Sequence, residues 1–196
     1  MAYPGDEEWY HDTYDRHWSV GDIYAPLQKI AALGKPIPIS FYYSFIPPDA
    51  VTQCKDAVES LNTCFGQHGM NFSLCGLGVA SRLPWEFDGI QAIVRLMPRN
   101  VLERYHGKGI ISVSPLMLDR KTNGRRKYAL AHGVGHGIFG YGHHGEEADT
   151  SFDPARECLM DEFATEGKVE GRLCAEDKGI LESLVKGEQI LWERMR

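Results

Sequence analysis

The run 36–65 restricts the fold more than any other part of this chain. Residues 37–45 read IPISFYYSF, and such β-branched and aromatic side chains suit a pleated, half-buried surface. Pro47 and Pro48 stop that strand, because proline has no N–H to give to a sheet ladder. From Asp49 the period changes: Val51, Cys54, Val58, Leu61 and Phe65 recur at steps of three and four, and Gly69 closes the helix this predicts. A strand that passes at once into an amphipathic helix must bury the helix stripe against a sheet.

Further strands are expected at 71–77, 91–97 and 110–118, with a short polar helix at 101–105. That order argues for an α/β (α+β) chain: one domain, 36–196, with a mixed twisted sheet backed by helices. Residues 1–35 read as an irregular N-terminal segment with one helix at 20–32, whose Trp9, Tyr10, Tyr14 and Trp18 cover core surface.

Composition removes several classes of function. With 21 Lys+Arg against 27 Asp+Glu the formal charge is −6, which argues against a nucleic-acid partner, since such binding rests on neutralising phosphates. Nothing approaches the roughly 18 to 20 apolar residues of a membrane helix. The acidic, aromatic first twenty residues lack the cationic-then-apolar order of a signal peptide. Five cysteines, an odd number, read as reduced thiols in a cytoplasmic protein, with Cys54, Cys64 and Cys75 in the core.

Four of the eight histidines, His132, His136, His143 and His144, fall within thirteen residues. On a helix Leu130, Val134 and Ile138 share one face, and His132 and His136 lie about 200° away from it. Imidazoles at i and i+4 are one turn apart, close enough to bind one zinc at about 2.0 to 2.1 Å each. A third ligand must come from beyond the helix, and Gly140 and Gly142 let the chain turn so that His143 or His144 supplies it. Three histidines leave the fourth position open, the pattern of a catalytic zinc site.

The residues His132-Gly133-Val134-Gly135-His136, Gly140 and His143, with Met160 in Cys158-Leu159-Met160, resemble the metzincin zinc peptidases. Their signature is HExxHxxGxxH followed by a methionine in a turn beneath the metal. Within them the chain is most similar to the archaemetzincins, which carry a cysteine two residues before that methionine and a pair of cysteines shortly before a last helix. Cys158, Met160 and Cys174, ahead of a helical run at 175–195, echo this layout.

The resemblance implies a zinc-dependent endopeptidase acting on peptides or proteins. His132, His136 and His143 would be the ligands and Met160 the Met-turn residue. His136 and His143 are seven apart where the family has six, and Gly140 is shifted with His143, as one inserted residue would shift both. Archaemetzincins also hold a structural zinc on four cysteines. Of these Cys158 and Cys174 remain, with His144 and Asp177 near the other two places.

One departure bears on activity. The glutamate expected after the first histidine is Gly133. In such hydrolases that carboxylate takes a proton from the attacking water, work worth about 10² to 10⁴-fold in rate. The chain as written is therefore expected to bind zinc yet cleave poorly or not at all. A glutamate codon becomes a glycine codon by one base change, so Gly133 reads either as an inactivating replacement in a peptidase or as native to a non-catalytic pseudo-peptidase that binds peptide or protein partners. A bound peptide is expected to add to an edge strand at 110–118.

Overall fold

The computed structural model describes residues 30, 33–82, 88–97, 103–107, 109–118, 128–139, 158–160 and 171–186. Strand β1 (Ile37–Tyr43) leads through Pro47 and Pro48 into helix α1 (Ala50–Phe65). There follow β2 (Phe72–Val79), β3 (Ile90–Val94), β4 (Glu103–Gly107), β5 (Ile110–Val113), a one-turn helix α2 (Pro115–Leu118), α3 (Ala129–Phe139) and α4 (Ala175–Val185). Among the described residues no helix is long and apolar enough to cross a membrane.

The strands form one sheet in the order β2-β1-β3-β5-β4. β1 pairs in parallel with β2 and β3, β3 pairs in parallel with β5, and β4 runs antiparallel to β5. This is the expected mixed α/β architecture, with four parallel strands and one antiparallel strand at the margin among the described residues. Side chains alternate across a strand, and Ile37, Ile39 and Phe41, each 0% exposed, line one face of β1 with Tyr43. In the same face stand Ile90, Ala92 and Val94 of β3 and Ile111 and Val113 of β5, all buried. Fully burying one such aliphatic or aromatic side chain stabilises by about 1.5 to 3 kcal/mol, so this layer holds the sheet to its helices.

Helix α1 buries Ala50, Cys54, Ala57, Val58, Leu61, Cys64 and Phe65. Val51 does not belong to that stripe and is exposed, because one step along a helix turns a side chain by about 100° away from Ala50. After Phe65 the chain tightens into a 3-10 turn (Gly66–His68), and Gly69 ends it at φ 88, a left-handed conformation that glycine adopts without a Cβ clash.

Asn62 of α1 completes the sheet edge. Its Oδ1 accepts from the Phe72 N–H at 2.7 Å and its Nδ2 donates to the Phe72 carbonyl at 3.1 Å, so one side-chain amide stands in for a neighbouring strand. Asn62→Ala strips both partners from a backbone that has little water to replace them. It should lower stability by about 1 to 3 kcal/mol, read as a shift of the urea midpoint at unchanged slope. A loss under about 0.5 kcal/mol would show that solvent satisfies that edge.

Three expectations need correction. Of the segment read as a polar helix at 101–105, the described residues 103–105 belong to strand β4, because pairing with β5 across the Gly109 turn outweighs the weak helical preference of short polar sequences. Gly109 sits at φ 76, and a Cβ there would collide with the Gly89 carbonyl. The strand read as 110–118 ends at Val113, and Pro115 opens α2, a position where proline is pre-set for a helix start. β5 is also interior, with β4 outside it, so it is not an edge.

Cys54 and Cys64 lie in the core, whereas Cys75 is exposed. Ile39 and Ser40 of β1 face Leu74 and Gly76, which leaves Cys75 as the extra residue of a bulge on the outer strand β2. The helix expected at 20–32 and the aromatics Trp9, Tyr10, Tyr14 and Trp18 fall outside the described residues, Ile30 apart.

Candidate metal centre

Helix α3 carries the histidine segment through the middle of the molecule, touching α1, α4, β4 and β5. Leu130, Val134 and Ile138 are buried at 2%, 1% and 1% exposure, on the face the sequence assigns to packing. On the opposite face His132 is also enclosed, at 2% exposure, and Gly133 and Gly135 are buried.

A buried imidazole needs hydrogen-bond partners. The Nδ1 of His132 lies 2.6 Å from the carbonyl oxygen of Leu159. A carbonyl only accepts, so Nδ1 carries the proton and donates, and Nε2 is the lone-pair nitrogen of this tautomer. Metal-ligating histidines are held in this way, by the second ring N–H given to a backbone carbonyl or a carboxylate. The imidazole of His132 therefore fits a metal ligand. The backbone of His136 lies one turn further along α3. Its side chain, and the whole of His143 and His144, lie outside what the structure describes.

Leu159 and Met160 form a turn in which both are 0% exposed. The turn is tied to the segment before α4, since the Leu159 N–H donates to the Arg172 carbonyl at 2.7 Å. Gly171, at φ 66, starts that segment, and a Cβ on it would stand 2.6 Å from the Cys64 Sγ and 2.7 Å from the Tyr128 ring.

Beside this turn is a second group of donors. Cys158 Sγ, Cys174 Sγ and a carboxylate oxygen of Asp177 lie within 4.8 Å of one another. Cys158 donates to Asp177 Oδ2 at 2.9 Å, and the Cys174 N–H points at Cys158 Sγ at 3.2 Å. Cys174 is the N-cap of α4, accepting from the Asp177 N–H at 3.5 Å. Burial pushes the Asp177 carboxyl up to about 7 and the Cys158 thiol up to about 12, because an enclosed site disfavours the charged form of each.

Two thiols and a carboxylate gathered at one point, with Cys158 and Asp177 buried and Cys174 half-buried, form a donor set that suits zinc, which binds sulfur, nitrogen and carboxylate oxygen. Asp177, 0% exposed, is the kind of buried acid that a cation would ionise. A closed structural shell takes four ligands, and the fourth would come from outside the described residues, where the sequence puts His144.

No protein-family model matches this sequence. No curated protein matches it either. Among solved structures the fold is similar to archaemetzincin (AmzA) from Methanopyrus kandleri, with a TM-score of 0.52 over 77% of this chain and 96% of that one, at 14% identity. The chain shares the fold of an archaemetzincin. This archaemetzincin-like fold agrees with the α/β class read from the sequence. An identity of 14% carries architecture and no residue roles.

Two interactions had no sequence signal. The Leu159 carbonyl is a backbone atom, and backbone atoms leave no trace in residue patterns. The second is made by His106, the bulged residue of β4, whose Nε2 lies 2.7 Å from Ser112 Oγ on β5. Nothing in the sequence marks it, because its partner is set by the pairing of β4 with β5 and by the bulge at residue 106.

Proposed function

We propose that the chain is a metzincin-type zinc metallopeptidase whose general-base position is held by Gly133. His132, His136 and His143 are its zinc ligands. The observation that carries this reading is the buried His132 ring, held through Nδ1 by the Leu159 carbonyl in an archaemetzincin-like fold. A zinc ion on three imidazoles supplies a Lewis acid for a scissile carbonyl and makes water a better nucleophile near neutral pH.

The chain's own residues do the rest. Leu159 keeps His132 in the ligating tautomer. Met160, buried in the next position, is the Met-turn residue and anchors that turn in the core. β4 is the outer strand on the side of the sheet that α3 touches, so an extended peptide adds to β4, in place of the interior strand β5. Backbone hydrogen bonds along such an edge orient a substrate without demanding particular side chains. Cys158, Cys174 and Asp177, with His144, hold a second, structural zinc.

Gly133 favours a second reading, a pseudo-peptidase that captures peptide or protein partners without cutting them. A glycine has no group to accept a proton from water.

Metal analysis of the purified protein tests the shared part of both readings. About one equivalent of zinc should remain on the histidines after gel filtration, with a second on the thiol cluster, and His136→Ala should lose the first. Equal trace metal in wild type and variant would refute the histidine site.

A further inference from the structure

The two candidate metal positions share a piece of backbone. Cys158, a donor of the cluster, is followed directly by Leu159, whose carbonyl holds the His132 ring at 2.6 Å. The same residue is gripped through the peptide unit before it, the one it shares with Cys158, since the Leu159 N–H donates at 2.7 Å to the carbonyl of Arg172, two residues before the second donor, Cys174. The Cys174 N–H reaches Cys158 Sγ at 3.2 Å, and Asp177 closes the group from the first turn of α4. The cluster thus ties together the two short segments, 158–160 and 171–174, that set where the Leu159 carbonyl points.

We infer that the Cys158, Cys174 and Asp177 cluster is the positioning element for His132. A divalent metal on the cluster locks the Leu159 carbonyl onto the Nδ1 proton, so that loading the cluster tightens metal binding at the histidines. This rests on the reading of His132 as a ligand given above. Partners that orient a metal-binding histidine typically change affinity 10- to 100-fold when lost, and the linkage is reciprocal, so metal on the histidines tightens the cluster by the same factor. His132 touches the metal. Cys158, Cys174 and Asp177 act on it only through the Leu159 peptide.

Cobalt(II) reads the two positions separately in the full-length protein under reducing conditions. Thiolate ligation adds charge-transfer absorption in the near ultraviolet, whereas both positions give ligand-field bands in the visible, so the histidine position is read from the visible bands that His136→Ala removes. In Asp177→Asn and in Cys174→Ser the near-ultraviolet signal should weaken, and the visible bands should need about 10- to 100-fold more cobalt to saturate. Serine keeps the N-cap of α4 at a half-buried position, so Cys174→Ser carries the comparison if the Asn variant fails to fold. Cys174→His, which can still ligate, should restore cobalt affinity at the histidines; a purely structural role for the thiol would give no such rescue.

Variants that lose the cluster signal while histidine affinity stays within twofold of wild type would overturn the coupling and leave the proposed function standing. A wild type without any near-ultraviolet signal would overturn it as well. A wild type with the cluster signal whose visible bands are unchanged in His136→Ala would refute the histidine site itself, and the coupling with it.

Discussion

Gly133→Glu should raise peptide cleavage by about 10² to 10⁴-fold, the usual contribution of a positioned general base. Position 133 follows a ring that the Leu159 carbonyl already orients, so the substitution adds the proton acceptor to a site whose imidazole is held in place. Glycine is also a poor residue inside a helix, and Gly133 is interior to α3. Replacing it removes a backbone cost of up to about 1 kcal/mol, which offsets part of the cost of placing a carboxylate at a buried position. The measurement is mass spectrometry of an unstructured peptide library, with a chelator control that should abolish the gain. Gly133→Gln fills similar space without a base and should show none. A glutamate variant that keeps its zinc and still does not cut would leave the pseudo-peptidase as the remaining reading.

Gly171→Ala should lower stability by about 2 to 5 kcal/mol. Two costs add. A left-handed conformation costs a residue with a Cβ about 1 to 2 kcal/mol, and Gly171 sits at φ 66. Forcing a methyl group into a packed interior costs about 1 to 3 kcal/mol more. The atoms it meets belong to Cys64, 0% exposed in α1, and to Tyr128 beside the start of α3, so neither can move without disturbing a helix contact. Equilibrium urea unfolding gives the number. Cys64→Ala in the alanine background should recover part of the loss by removing the sulfur, and a single-variant loss below about 1 kcal/mol would mean that the segment before α4 shifts freely.

The consequence reaches the candidate site, because Gly171 begins the segment that holds Leu159. The residues of this chain thus fall into two kinds of legibility. β1 and α1 were readable because their signals are local. A β-branched run stopped by two prolines, then apolar residues at helical spacing, needs no knowledge of what lies across the core. β4 was misread for the opposite reason. Its five residues, ERYHG, carry no strong period, and only pairing with β5 makes them a strand. Val51 and Cys75 were misplaced by smaller shifts of the same origin, one helical step in the first case and one bulged residue in the second.

The candidate centre divides along the same line. His132 and His136 were visible as a pair because a helix repeats every 3.6 residues, and Cys158, Met160 and Cys174 were visible only through resemblance to a family layout. That Cys158, Cys174 and Asp177 share one buried point depends on the turn at 158–160 packing against the start of α4, a contact between segments distant in sequence.

What the sequence determines by itself, then, is which local elements form and which side chains are chemically able to hold a metal, since both follow from spacing and residue type. It also determines the absence of a carboxylate at Gly133. Only the tertiary structure decides that a backbone carbonyl from a remote turn selects the tautomer of His132. A carbonyl belongs to every residue, so packing alone determines which one reaches the ring.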